Sequence, residues 1–427
     1  MKILIKNGLL VDPSQKINKV MNIEVHNGII SNLHNRKNVN EKIFDEVVDA
    51  KGLVVAPGLV DIHVHLRDPG FRHKETITSG SEAAVAGGFT SIACMPNTFP
   101  ANDQPKITKY IIDKSKKIGL VNIFPIGAIT KALNNLKLAK IIENIKAGCV
   151  AISDDGFPVS NSKLLFDAMI LAKKNSFPII SHCEDCSLSL DGVANEGSFS
   201  KKYGLKGIPN ISEELGIIKD IAIAEYTNAH LHVCHVSTHN SVEIIKEAKS
   251  RGVNVTCEAT PHHFTISDND IIDCDSNYKM NPPLRDKRDV SAIKRGLIDG
   301  TIDIIATDHA PHSAKEKNAG FKNAPFGITG LETALPLSLK LVHDKKISLS
   351  NLISLMSTMP SKIININRGS LKKGLDADLV IFDMNRKITI DKKTMYSKSK
   401  NTPFDGFKLK GKVIRTILKG KTVYSSI

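Results

Sequence analysis

The chain contains no tryptophan, only 5% aromatic residues, and no run of about 18 consecutive apolar residues. The missing run leaves no candidate for a membrane-spanning helix. The scarcity of aromatics matters because the formal charge is +14, which raises nucleic acid as a partner. The lysines, however, are spread over nearly every surface-like helix, with no aromatic interleaving and no RNA-binding motif. They read as a solvated basic surface that at most draws in an anionic substrate. Neither a GxGxxG nor a Walker pattern surrounds Gly87 and Gly88, so these glycines read as a helix C-terminal cap and not a phosphate loop. Cysteine is sparse and odd in number: seven residues, several in apparent core strands (Cys94, Cys149, Cys234, Cys257), form no disulfide framework. Free thiols point to a reducing compartment, the cytoplasm. Cys183 and Cys186 make a CxxC without a second pair and read as structural thiols. The opening MKILIKNGLLVDPSQ lacks a small-residue cleavage site and reads as a strand, not a signal peptide.

What is present is a soluble globular composition, 41% hydrophobic and 24% charged over 427 residues, long enough to bury a large core. From residue 53 to about 310 a unit repeats: a short β-branched apolar run, a polar end, then a segment with helical spacing. This is the sequence form of consecutive βα units. The strands are expected to end at His65, Asn97, Gly127, Asp155, His182, His235, the TPHH at 260–263, and Asp308. Eight in order predict a TIM-type (β/α)8 barrel, with helices over 77–86, 138–147, 162–174, 213–226, 242–251 and 290–300. Residues 1–56 and 365–427 instead read as short antiparallel strands that join into one composite β-sandwich, leaving 57–364 as the barrel. Gly374, Asp376 and Asp378 mark a tight turn into a strand at 379–383.

The segment DIHVHLRDPG (61–70) places His63, His65 and Arg67 on one face of a strand end. Two imidazoles make half of a divalent-metal site, and a guanidinium beside them suits a carboxylate or phosphate. Active sites of β/α barrels lie at the carboxyl ends of the strands. There this chain collects His63, His65, Asn97, Asp155, His182, His235 and Asp308. Four imidazoles and two carboxylates around one opening are the ligand set of a two-metal hydrolytic centre. One carboxylate is needed to bridge the cations and another to take a proton from water, tasks that suit Asp155 and Asp308. His262 and His263 read as orienting or packing residues, and His230 and His232 as core positions near the closed end of strand six. Ser237 has no matching base and acid.

These residues resemble the amidohydrolase superfamily, and within it the long, class I dihydroorotases. HVHLRDPG (63–70), MPNT (95–98), SDDG (153–156), SHCED (181–185), EGSFSKKYGLKGIP (196–209), HVST (235–238), ATPHHF (259–264), KMNPPLR (279–285), ATDHAPHS (306–313) and APFGITGLETALPL (324–337) follow in the family's order. The resemblance implies that His63 and His65 bind the more buried of two zinc ions, His182 and His235 the second, and that Asp155 bridges. Asp308 would bind metal and act as general acid/base, passing the proton of a metal-bridged hydroxide to the leaving ring nitrogen. His65, Arg67, Asn97 and His312 would hold the substrate, with Asn281 and the backbone at Phe326 and Gly327 contacting its ring. Many superfamily members bridge their metals with a carboxylated lysine where this chain has Asp155; the nearest lysine, Lys146, precedes the strand and belongs to the opposite mouth. That departure, with Arg67, favours a dihydroorotase over a hydantoinase, dihydropyrimidinase or allantoinase. An inactive scaffold for aspartate transcarbamoylase is the other alternative, opposed by the retention of all four histidines. The resemblance further implies a small-molecule substrate, a homodimer, and association with aspartate transcarbamoylase. Loop 311–327, with Gly320 and Gly327 as hinges, is expected to fold over substrate. Its EK pair at 316–317 fits the family block, whereas Lys315 stands where an acidic residue is usual.

Overall fold

The computed structural model describes residues 1–36 and 39–426. Eight parallel strands follow one another in a single sheet: β1 (Leu59–Val64), β2 (Phe89–Cys94), β3 (Asn122–Gly127), β4 (Ala151–Ile152), β5 (Ile179–Ser181), β6 (Leu231–Val233), β7 (Val255–Ala259) and β8 (Ile304–Ile305). Most are apolar runs buried on both faces, as helices on the outside of a parallel sheet require. The edges meet where Val64 bridges His309 in parallel and the His65 amide donates to the His309 carbonyl at 2.8 Å. The buried Asp61 carboxylate adds to this seam by accepting from the amides of His63 and Thr307 at 3.0 and 3.2 Å.

A helix follows each strand: α1 (Ile77–Ala86), α2 (Pro105–Ile118), α3 (Ile141–Ala147), α4 (Ser162–Asn175), α5 (Asn210–Thr227), α6 (His239–Ser250), α7 (Lys287–Asp299) and α8 (Ala334–His343). Two of them, α6 and α7, begin three residues before the first apolar position in their sequence pattern, because a polar first turn carries the cap. In α6, Thr238 accepts from the Ser241 amide, and in α7, Asp286 accepts from the amides of Arg288 and Asp289. The lysine-rich α2 starts with proline at its first position, ends on a left-handed Gly119, and buries Ile107, Ile111 and Ser115 as one stripe.

Both chain ends share a second, eight-stranded sheet. Its strands are Lys2–Asp12, Ile17–His26, Ile29–His34, Glu46–Asp49 and Val54–Pro57 from the start, and Leu379–Thr389, Lys408–Leu418 and Lys421–Ser425 from the end. Ile3, Ile5, Leu10, Ile23, Ile381 and Ile417 from both ends pack into one core. The sheet is not wholly antiparallel: Lys2–Asp12 pairs in parallel with both Glu46–Asp49 and Val54–Pro57. At the 374–378 turn, Gly374 has φ +93°, and Arg368 clasps Asp376 and Asp378 at 2.9 and 3.1 Å. All seven cysteines are free, with Cys183 buried and Cys186 exposed. No helix among the described residues is long and apolar enough to cross a membrane.

Candidate active site

The carboxyl ends of the barrel strands bring six side chains together. His63 Nε2 lies 3.3 Å from Asp155 Oδ1 and 3.4 Å from Asp308 Oδ1, and His65 Nε2 lies 3.4 Å from Asp155 Oδ2 and 3.0 Å from Asp308 Oδ1. His182 Nδ1 and His235 Nε2 are 2.9 Å apart and lie 3.7 and 3.6 Å from the same Asp155 Oδ1. Asp155 is thus common to two clusters. Burial alone raises its carboxyl, but His63, His182 and His235 outweigh burial and hold it well below the ordinary carboxylate range. His182, also disfavoured as a cation by burial, is raised to about 10 by Asp155 and Glu184. Arg67, His235 and Asp308 all have left-handed backbones, with φ of 58°, 29° and 46°, a conformation that non-glycine residues keep only where the surroundings impose it.

These donors fit a metal. His63 Nε2 and Asp155 Oδ1 are buried without a hydrogen-bond partner among the described residues. The ligand atoms of His63, His65 and Asp308 lie within 4.8 Å of one another, as do those of His63, Asp155, His235 and Cys234. Tetrahedral ligands at about 2.0–2.1 Å from an ion stand about 3.3 Å from each other, close to the separations found. The carboxylate charge that raises His63 well above its ordinary value would equally attract a divalent cation. Cys234, one of the cysteines in the apparent core strands, has its thiol pushed well up by burial.

A cavity of about 270 Å³ opens beside the cluster, and Arg67, Asn97, Asn281, His312 and Phe326 line it. Arg67 donates from Nε to the Pro311 carbonyl at 3.3 Å and lies 3.2 Å from His312 Nε2 through Nη2. Burial lowers its pKa only to about 10, so it remains a cation at neutral pH. Burial, Arg67 and Lys74 keep His312 neutral. Asn97 accepts at Oδ1 from His65 Nδ1 at 2.9 Å, which turns His65 Nε2 toward the carboxylates. Gly327 sits beside the cavity-lining Phe326; its amide donates to the Lys279 carbonyl, and its own carbonyl accepts from Lys317 and Asn401. It has φ +155°, and a Cβ there would come within 2.4 Å of the Ala310 carbonyl oxygen, so it shapes the wall behind Phe326 and offers no free backbone group.

Supporting residues, Glu258, Lys74 and Asn401 among them unread in the sequence, hold this arrangement. Glu258 on β7 accepts from His63 Nδ1 at 2.5 Å, and Glu184 accepts from His182 Nε2 at 3.0 Å. Asn281 donates to the same Glu184 oxygen at 3.0 Å. His232, read as a core position, lies 3.0 Å from Glu258. His263 is tied to Thr260 and the Pro282 carbonyl and takes no part in the cluster. The 311–327 loop is pinned down: Ser313 and Glu316 form a capping box, Lys74 pairs with Glu316 at 2.9 Å, and the buried Lys317 ammonium donates to the carbonyls of Lys279, Pro325 and Gly327 at 3.3, 3.1 and 3.0 Å. Lys315 is exposed. From the far end of the chain, Asn401 accepts from the His312 amide and donates to the carbonyls of Ala310 and Gly327, each at 3.0 Å.

A barrel of this topology with a buried His/Asp cluster at its carboxyl mouth defines a metal-dependent hydrolase of the amidohydrolase class. Among solved structures, the L-hydantoinase (dihydropyrimidinase) of Arthrobacter aurescens superposes with a TM-score of 0.87 at 27% identity, over 99% of this chain and 96% of its own. A family model described as Dihydro-orotase-like matches residues 52–241. The dihydroorotase of Geobacter metallireducens is 50% identical over 424 residues, 99% of this chain and 100% of its own, and that of Acetivibrio thermocellus is 49% identical over 98% of each. The chain belongs to the dihydroorotase family.

Proposed function

We propose that this chain is a dihydroorotase that reversibly closes N-carbamoyl-L-aspartate to L-dihydroorotate with loss of water, a step of de novo pyrimidine (UMP) synthesis. The observation that carries the reading is the Arg67–His312 corner beside the His/Asp cluster. Its guanidinium bonds a carbonyl and an imidazole and pairs with no carboxylate among the described residues. A ring bearing a free carboxylate supplies that partner, whereas a hydantoin or dihydrouracil ring would leave the cation without one.

In this reading His63 and His65 would hold one zinc ion, His182 and His235 a second, with Asp155 available to both and Asp308 to the first. Divalent ions bound there would lower the pKa of water and polarise a carbonyl. Arg67 and His312 hold the substrate carboxylate, Asn281 and Phe326 flank the ring, and Asn97 keeps His65 oriented. During ring opening Asp308 takes a proton from the attacking water and delivers it to the departing ring nitrogen; during closure it returns that proton. The reading places the enzyme in the cytoplasm, consistent with seven free thiols. It includes a homodimer, supported by the apolar stripe Ile211, Leu215, Ile218 and Tyr226 exposed along α5, and docking to aspartate transcarbamoylase.

The test is ring opening of L-dihydroorotate by purified protein, with hydantoin, dihydrouracil and allantoin alongside and metal content measured on the same sample. Turnover of dihydroorotate alone, with two zinc ions per chain, is expected. Preference for an uncharged ring would overturn the role given to Arg67, and turnover independent of metal would overturn the cluster.

A further inference from the structure

One buried carboxylate outside the ligand set touches two of its histidines. Glu258, with no exposure, accepts from His63 Nδ1 at 2.5 Å and from the His235 backbone amide at 3.2 Å through Oε1, while Oε2 lies 3.0 Å from His232 Nε2. Three donors converge on one carboxyl group, which only the acceptor-only ionised form satisfies fully. His63 must then carry its proton on Nδ1. Its Nε2 lone pair, which has no hydrogen-bond partner among the described residues, faces Asp155 and Asp308 at 3.3 and 3.4 Å. The same oxygen holds the backbone of His235 in its left-handed conformation, φ 29°. On the far side, His232 Nδ1 is left to accept from Thr256 Oγ1 at 2.9 Å, so both ring nitrogens of this histidine are fixed as well.

We infer that Glu258, braced by His232, is a positioning residue of the metal centre: it fixes the tautomer of His63 and the backbone of His235, one histidine from each of the two clusters that Asp155 joins. The inference rests on the metal-binding reading given above. Glu258 touches neither the Arg67 corner nor Asp308, so it governs metal affinity and leaves substrate affinity alone. Glu258→Gln keeps the shape. Its amide oxygen can still accept from His63 while its NH2 donates to His232, which changes tautomer toward Thr256; what it loses is the carboxylate charge, which holds His63 firmly as the Nδ1–H tautomer and makes its Nε2 a more basic metal ligand.

The experiment is zinc competition against a chelator on the purified full-length protein, with a urea midpoint of the metal-free form and KM at saturating zinc. Glu258→Gln is expected to weaken zinc binding about 10- to 100-fold, with KM for dihydroorotate held within twofold. His232→Gln retains a donor to Glu258 and should bind zinc as the parent does; His232→Leu removes it and should lose about three- to tenfold in affinity. Should Glu258→Gln fail to fold, the His232 pair decides: equal zinc affinity in Gln and Leu variants overturns the inference. So does a Glu258→Gln protein that is less stable yet binds zinc as tightly as the parent, because that is what a merely structural role would give. A parent protein that binds no zinc at all would instead overturn the metal reading itself.

Discussion

Replacing Arg67 with lysine tests how the site recognises a ring acid. Lysine keeps the positive charge but replaces a planar fork with a single ammonium, so it cannot bond the Pro311 carbonyl, now 3.3 Å from Nε, and also meet both oxygens of a carboxylate. Its backbone adopts the same φ of 58° as the arginine and adds no new strain. The substitution therefore removes one charge-assisted hydrogen bond to substrate, worth about 1.5–3 kcal/mol, or about 10- to 150-fold in kcat/KM. The carboxylate lies off the amide bond that breaks, so it is held equally in ground and transition states. The loss should appear in KM, with kcat within a few-fold. Arg67→Met, which leaves a carboxylate in the cavity with no fork to meet it, should cost about 3–5 kcal/mol. Initial rates of ring opening across a wide substrate range, on preparations matched for zinc, separate the parameters. A fall in kcat at constant KM, or an unchanged kcat/KM for the lysine variant, would refute the reasoning.

Asp308→Asn should lower turnover by about 10²–10⁴-fold while zinc content stays near that of the parent, read by metal analysis beside the rate. Lys317→Met strips the donor from three carbonyls and should loosen residues 313–327 by about 2 kcal/mol, seen as roughly 30-fold faster limited proteolysis there and a higher KM. His263 is lowered from its ordinary 6.5 to about 4 by burial. Between these values the unfolded chain takes up a proton that the folded one refuses, so stability is full above pH 6.5 and falls as the pH drops toward 4. At pH 5 that loss is about 2 kcal/mol, and His263→Gln, which can still donate to Pro282, should remove it; urea midpoints at pH 7 and 5 that change in parallel in both proteins would contradict this.

The barrel was legible because each apolar run stops at a residue whose chemistry belongs in a solvent-facing mouth, as Val64 gives way to His65 and Ile305 to Asp308. Helix starts were less so, since polar capping turns precede the apolar period, and in α2 the lysines mask a narrow buried stripe. The parallel pairing of Lys2–Asp12 with Glu46–Asp49 has no local signature; nothing in a short strand announces a partner more than forty residues away. The cluster residues stood out as histidines and aspartates at strand ends. Glu258 did not, because it sits within a strand that otherwise reads as core. Lys317 stood out only as half of the EK pair at 316–317, although three carbonyls make it the loop's anchor.

Asn401 belongs to a segment between two strands of the terminal sheet, yet it grips the amide of His312 and the carbonyls of Ala310 and Gly327. Nearby, Ser399 bonds the Lys74 carbonyl and Ser397 the buried Glu75. The part of the chain that the family model matches, residues 52–241, contains four of the cluster histidines and Asp155 but lacks Asp308, Glu258, His312 and this strut. Cut out as a separate piece, it would carry most of the recognisable motif and no working site. Any fusion or truncation of this enzyme has to treat the last thirty or so residues as part of the substrate pocket's frame, even though they lie in a different sheet from the chemistry.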